Sequence, residues 1–393
     1  MNDISEWLVE NREKIEKGVE IMAQASRVLA SSVGQLHPVL EAVFKVSAEL
    51  LKNPDSSEAN YLTQQLTKVN DQLTVIQNEI DQIELEMMTT SMNKKNFDWE
   101  VHILSQFESF QDFLNAKPKF KEKKKEKFLT HYNVTEGDLN VEALYNAVME
   151  DTCSERPILE IVLATKERNR KAVEDFCARL KKLFVVGIIS IMAYAAFKEG
   201  TVDSETVKKW KERMENVEDK MKAAVDDCVE NFAEQAKLDI KKKLDVSPGP
   251  VDPKWTKSLL EILENKYDWV SWSIRAFKNR ERVFFFNWLA GKKYHGCKGD
   301  NSFEVLTKNK IKVVVSFCTE PKPIDKNRIQ EQIEQTKLNR NMMSVALILQ
   351  ENFPECFIHA VSHYKSVEEA NNFPEDCHYF GRYKGAYLCF HSQ

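Results

Sequence analysis

Glycine and proline are scarce in the first 246 residues of this 393-residue chain: five glycines and four prolines (Pro38, Pro54, Pro118, Pro157). Such sparse punctuation excludes a turn-rich β architecture there and predicts helix almost throughout. Catalytic signatures are missing as well. There is no G-x-S-x-G, P-loop, G-x-G-x-x-G, kinase signature or H-E-x-x-H, so nothing predicts nucleophilic, phosphoryl-transfer or dinucleotide chemistry. Gly291-Lys292-Lys293 lacks the upstream glycine of a phosphate loop. The start, MNDISEWLVENREK, has neither a basic n-region nor an apolar h-region. The expectation is therefore cytoplasmic synthesis, followed by membrane association or release by a non-classical route. The eight cysteines include no C-x-x-C pair, which suits free thiols in a reducing compartment, with a C-terminal disulfide as the alternative.

Charge is abundant but uneven. Residues 1–253 carry 35 Lys+Arg against 45 Asp+Glu, and residues 254–393 carry 21 against 16. The split predicts two units. A surplus of five positive charges is too small to argue for nucleic acid as a partner. The boundary is SPGPVDP at 247–253, a stiff linker with three prolines and a glycine. The expected fold is mainly α: an elongated bundle of long helices over 1–246, then a small α+β domain over 254–393.

Within the first part, a helix is expected from about Ser5 to Leu51, and a turn follows at Asn53–Ser57. Leu62, Leu66, Val69, Leu73, Ile76, Ile80, Ile83 and Met87 then repeat at 4-3 spacing, a narrow seam for pairing with another helix. An aromatic helix comes next, with Phe97, Val101, Leu104, Phe107, Phe110 (or Phe113) and Leu114 as buried candidates. KPKFKEKKKEK holds seven lysines between 117 and 127. It could attract anionic lipid or nucleic acid, or it is simply a solvated face. A short helix opens at Asp138 with Leu139, Leu144, Tyr145 and Val148 apolar. Two helices of about 42 residues follow, 156–199 and 205–246, roughly 60 Å each, and a short turn makes them an antiparallel hairpin. The second carries a stripe at Val207, Trp210, Met214, Val217, Met221, Ala224 and Cys228.

One block differs from all the rest. LFVVGIISIMAYAAF, 183–197, has no charge, and lysines bracket it at 181, 182 and 198. Fifteen helical residues span roughly 22 Å against a hydrocarbon core of about 30 Å, too short for an ordinary anchor. It reads as a buried core helix or as a conditional membrane element. The candidate lipid-contacting residues are Leu183, Phe184, Val185, Val186, Ile188, Ile189, Ile191, Met192, Tyr194 and Phe197. Apolarity on every face favours the membrane reading, because a bundle helix needs only a stripe. A position near the hairpin tip favours it too. Gly187 and the small residues Ser190, Ala193, Ala195 and Ala196 fit either reading. On the membrane reading, Ile189→Asp abolishes lipid binding without unfolding the bundle.

After the linker, a short helix (255–269) precedes β candidates. WVSWSIRAF alternates with Val270, Trp272, Ile274 and Ala276 on one face, and VFFFNWLAG, KIKVVVSFC, CFIHAVSHY and GAYLCFHS are further strands. A helix is expected over 325–350. Trp269, Trp272, Trp288 and Phe284–Phe286 form an aromatic cluster, read as core or as a ligand or glycan surface. His359 and His363 share i,i+4 spacing but sit in a strand-like segment. Cys377, His378, Cys389 and His391 match no common zinc spacing. No metal, cofactor or catalytic residue is expected.

DWVSWSIRAFKNRERVFFFNWLAGKKYHG at 268–296 and HYFGRYKGAYLCFH at 378–391 resemble the rapunzel family of bony-fish proteins, within a wider grouping similar to the cephalotoxin-like class. The resemblance implies association with fin and skeletal growth and with host responses, and it brings no catalytic residues. By architecture alone the helical half looks like α-helical pore-forming toxins. The expected function is a non-enzymatic membrane- or partner-interacting protein. The alternative is an intracellular scaffold using seams 62–87 and 207–228, with homo-oligomers conceivable; an enzyme using the C-terminal cysteines and histidines ranks third.

Overall fold

The structure is a computed structural model of the 393-residue chain. It describes residues 2–24, 56–58, 60–61, 63–65, 67–68, 95–149, 156–199, 204–247, 249–278, 293–336, 341–362, 366–373 and 377–393. The chain is mainly helical with a C-terminal α+β part, and it divides into two compact units, Met1–Glu230 and Asn231–Gln393. The seam residues Leu62, Leu66, Val69, Leu73, Ile76, Ile80, Ile83 and Met87 lie outside the described residues, as do Phe284–Phe286 and Trp288.

The first unit contains α1 (Asn2–Gln24), α2 (Lys95–Leu114), α3 (Lys121–Val134), α4 (Leu139–Met149), α5 (Ile158–Thr165), α6 (Arg170–Glu199) and α7 (Ser204–Glu230). The helix expected over 156–199 is two helices. Glu167 and Arg168 take left-handed φ values of 50° and 53°. The Arg168 N–H donates back to Leu163 O at 2.9 Å and the Glu167 N–H to Ala164 O at 3.3 Å. That pattern closes a helix C-terminus. Asn169 then caps α6, its Oδ1 accepting from the Ala172 N–H at 3.1 Å.

The expected faces of α2 and α4 are each rotated slightly. In α2 the buried apolar residues are Ile103, Phe107, Phe110, Phe113 and Leu114, while Val101 is 59% exposed. In α4 the buried apolar residues are Val141, Leu144 and Val148, and Leu139 is exposed. Ile103 and Val141, each two residues further on, fall on the i, i+3, i+4, i+7 rows of the buried residues that follow them. The lysine-rich run is a single 3₁₀ turn, Pro118–Phe120, followed by the start of α3. Its Lys121 is buried, and Nζ donates to Phe113 O at 3.0 Å and Leu114 O at 2.6 Å. A cation thereby satisfies the last carbonyls of α2.

The helix expected over 205–246 breaks at Asn231. The residues beyond it form α8 (Phe232–Val246), whose Phe232, Ala236, Ile240 and Leu244 pack in the core of the second unit. The unit boundary therefore falls sixteen residues before the point composition suggests, because the apolar face of 232–246 is absorbed by the later core.

The second unit continues with α9 (Pro253–Lys266), β1 (Ser271–Lys278), β2 (His295–Lys298), β3 (Ser302–Leu306), β4 (Ile311–Cys318), α10 (Lys326–Gln335), α11 (Met342–Asn352), β5 (Cys356–Ser362), β6 (Glu368–Asn371), β7 (Cys377–Tyr383) and β8 (Ala386–Ser392). The single helix expected over 325–350 is thus α10 and α11. Two four-stranded antiparallel sheets form, in the orders β3-β4-β1-β6 and β2-β5-β8-β7. They lie face to face. Arg275 Nη1 of β1 donates to His359 O of β5 at 2.9 Å, and His391 Nε2 of β8 lies 2.8 Å from Ser316 Oγ of β4. Helices cover the outer faces: α8 and α9 over Trp272, Ile274, Val313 and Val315, and α11 over Ile358, Ala360, Leu388 and Phe390. Strand alternation leaves Ser273, Arg275, Ser316, His359, Cys389 and His391 between the sheets. The expected face of Val270, Trp272, Ile274 and Ala276 is the one under α8 and α9.

Candidate functional site

The block 183–197 lies in α6, at the centre of the first unit. Helix α6 packs against α2, α3, α4, α5 and α7. Leu183, Phe184, Val185, Val186, Ile188, Ile189, Ile191, Met192 and Phe197 are each 7% exposed or less. Tyr194 is half-buried, stacked on Tyr132 at 4.3 Å with its hydroxyl donating to Asn133 Oδ1 at 2.7 Å. The block is apolar on every face because neighbours lie on every face. All-round apolarity therefore has a sufficient cause inside the bundle and no longer separates the two sequence readings.

The packing is specific. Phe197 meets Phe113 at 4.8 Å, Phe128 at 5.9 Å and Phe110 at 6.0 Å between ring centroids. At Gly187 a Cβ would stand 2.6 Å from Val141 Cγ2, so α4 approaches α6 where no side chain intervenes. Ser190, fully buried, donates its hydroxyl to Val186 O at 2.9 Å. At about 1.5–3 kcal/mol per large side chain, exposing the block would cost on the order of 15–30 kcal/mol. That exceeds the roughly 5–15 kcal/mol that holds a domain together. Water contact is the state this sequence forbids.

Ion pairs fasten the helices around α6. Arg179 pairs with Glu100 of α2, Lys181 Nζ lies 3.7 Å from Glu218 of α7, and Arg168 Nε bonds Asp227 at 2.7 Å. Glu142 of α4 holds Lys209 at 2.6 Å and Arg213, both of α7. Burial pushes the Glu142 carboxyl up, but the two cations together outweigh it and hold it below its ordinary value. Burial lowers the Lys181 ammonium. The α7 stripe is consumed here too. Trp210, Met214, Val217, Met221, Ala224 and Cys228 are buried in the same core, so the scaffold reading loses that stripe as a free pairing surface.

The remaining sequence candidates scatter. His359 is fully buried in β5, and His363 lies outside the described residues. Cys389 and His391 are buried in β8, where both His391 nitrogens have partners, Ser392 O at 2.6 Å and Ser316 Oγ at 2.8 Å. Trp269 and Trp272 pack with Phe232 and Tyr267 as core. The structure does bring together a trio the sequence reading missed, His295, Cys297 and His359, whose donor atoms all lie within 4.8 Å of one another. The His-Gly-Cys spacing, i and i+2 on one strand face, was the available signal.

Residues 52–248 match the cephalotoxin-like middle helical domain. Protein rapunzel of Danio rerio is 25% identical over 222 residues, 56% of this chain and 97% of that protein. No solved structure matches. The family match falls on the helical half, whose plan the resemblance read from the sequence also included, although the stretches quoted for it are C-terminal. A bundle built round one apolar helix, matched over half its length, makes the chain a member of the cephalotoxin-like family.

Proposed function

We propose that the protein is a non-enzymatic membrane-interacting protein whose first unit stores α6 as a sheltered, bilayer-competent helix. The carrying observation is the combination of content and containment. Arg170–Lys198 is long and apolar enough to cross a membrane, a test that soluble core helices also pass, yet here it is wrapped by helices joined through titratable ion pairs. Thirty residues of helix reach about 45 Å. The charge-free part reaches roughly 22 Å, and Lys181, Lys182 and Lys198 stand where long side chains can snorkel to headgroups. Loosening the sheath is the proposed trigger. Acid does this at Glu142: its depressed carboxyl contributes stability that is present at neutral pH and lost as pH falls through its folded-state value.

The test is flotation and dye release with vesicles containing anionic lipid, using the full chain. Binding should rise as pH falls, and Glu142→Gln should move that rise to higher pH. Ile189→Asp is unsuitable as the diagnostic variant. Ile189 is completely buried, so the substitution unfolds the bundle rather than sparing it. A folded wild type that ignores vesicles across the acid range would end this reading. The scaffold alternative predicts a stable partner complex and no lipid response; its seam at 62–87 lies outside the described residues.

A further inference from the structure

We propose that His295, Cys297 and His359, completed by Glu304, form a binding site for a borderline divalent cation of the zinc class between the two sheets of the second unit. Strand alternation sets the geometry. His295 and Cys297 are i and i+2 on β2, so both side chains enter the layer between the sheets. The residue between them, Gly296, faces α11, where a Cβ would stand 2.5 Å from Met343 Cα. On β5, His359 is the direct register partner of Cys297. Glu304, on β3 of the opposite sheet, reaches across: its Oε1 lies 3.6 Å from His295 Nδ1 and 3.8 Å from Cys297 Sγ.

The second observation is an orphan. His359 is fully buried, and among the described residues neither of its ring nitrogens has a hydrogen-bond partner. Buried polar atoms are nearly always satisfied, and an imidazole with two unmet nitrogens facing a thiol and another imidazole is what a ligand shell looks like before its ion. Burial and the neighbouring Arg275 hold His359 well below the usual imidazole range, so its lone pair is available at neutral pH. Burial, with Glu304 beside it, pushes the Cys297 thiol up. That argues against a free thiolate nucleophile, since such a site needs the opposite shift. A cation reverses the balance: Sγ–metal bond formation releases the thiol proton to solvent.

Two imidazoles, one thiolate and one carboxylate form a tetrahedral donor set of N, S and O suited to zinc. Its edges would be about 3.3–3.7 Å, so the donors, now within 4.8 Å, must close by about 1 Å or less each. Lys312 is the local counter-charge. Its Nζ lies 2.7 Å from His295 Nε2 and 3.1 Å from Glu304 Oε2, and it yields Glu304 when the ion arrives. Arg275 stays out of the shell, paired with Glu369 at 2.8 Å through Nε. Glu304, at 40% side-chain exposure, leaves an entry path from solvent.

The test uses the metal-free full chain titrated with Co²⁺, then competed with Zn²⁺. Saturation at one ion per chain, with a thiolate-to-cobalt charge-transfer band and intense tetrahedral ligand-field absorption, is the expected result. Cys297→Ser should abolish the charge-transfer band although seven other cysteines remain, and Glu304→Gln should weaken binding at least 10-fold. His359→Gln should also lose the tetrahedral absorption, and if that variant fails to fold, Cys297→Ser and Glu304→Gln remain the diagnostics. A wild type without the cobalt spectrum, or a spectrum unchanged in Cys297→Ser, overturns the assignment.

Discussion

The two units bury their interiors in opposite ways. The first surrounds the charge-free block of α6 with apolar side chains and keeps that helix's ion pairs in the turns before the block. The second places polar and titratable groups, Arg275, Glu369, His359 and His391, in the layer between two sheets beside a small apolar cluster of Phe277, Tyr294, Val314 and Val361, and keeps its two larger apolar clusters under the outer helices. A helix can be wrapped on every side with no unmet backbone group, since its hydrogen bonds are internal. A sandwich has two inner faces whose side chains must meet, and here they meet as hydrogen bonds and ion pairs. The first interior therefore admits charge only where a carbonyl or carboxylate meets it, as at Lys121, Arg179 and Lys181, whereas the second gathers several titratable groups in one layer.

The largest effect that would sharpen this contrast is Ile189→Asp. A carboxylate at the centre of α6 should cost more than about 5 kcal/mol, enough to unfold the first unit, as seen by loss of helical circular dichroism. Next, Arg275→Met should cost about 3–5 kcal/mol in denaturant unfolding by stranding Glu369, its register partner, in the second unit. Replacing both residues with methionine should recover most of that loss. Wild-type stability in Arg275→Met alone would mean that this pair, which joins neighbouring strands of one sheet, is not desolvated as described.

The third test is acid. Burial lowers His391 from 6.5 to about 4. A base held below its unfolded value contributes stability that is complete above about pH 6.5 and lost as pH falls toward 4, by at most about 3 kcal/mol. His359 acts in the same direction, whereas Glu369, raised by burial, acts against it. In the first unit the depressed Glu142 carboxyl starts from 4.5 and yields only below that. The second unit should thus soften at a higher pH than the first in hydrogen-exchange measurements on the metal-free chain. His391→Phe should flatten the response between pH 6.5 and 4. The smallest expected effect is Lys121→Met, about 1–2 kcal/mol off thermal stability, from the two α2 carbonyls left without their cation.

Much of the architecture was readable beforehand. The α7 stripe, the β1 outer face and the buried character of 183–197 all follow from periodicity and composition, which local burial obeys. The helix breaks at Glu167–Asn169 and Asn231 were not, because no glycine or proline marks them; glutamate and arginine occupy left-handed φ only because the surrounding hydrogen bonds hold them there. Val101 was assigned to the buried face of α2, where Ile103, two residues on, is buried instead. The trio at 295, 297 and 359 was invisible because its members are 64 residues apart at the extremes and meet only through the β2–β5 register.

By itself, the sequence determined that fifteen uncharged side chains had to leave water and that a helical half would precede an α+β half, since transfer free energy and hydrogen-bond periodicity act on local composition. Tertiary structure alone decided which neighbours enclose α6, where one core stops and the next begins, and which distant polar groups share the space between the sheets. Those outcomes depend on strand register and helix packing, which couple residues by position in space and leave no trace in local spacing.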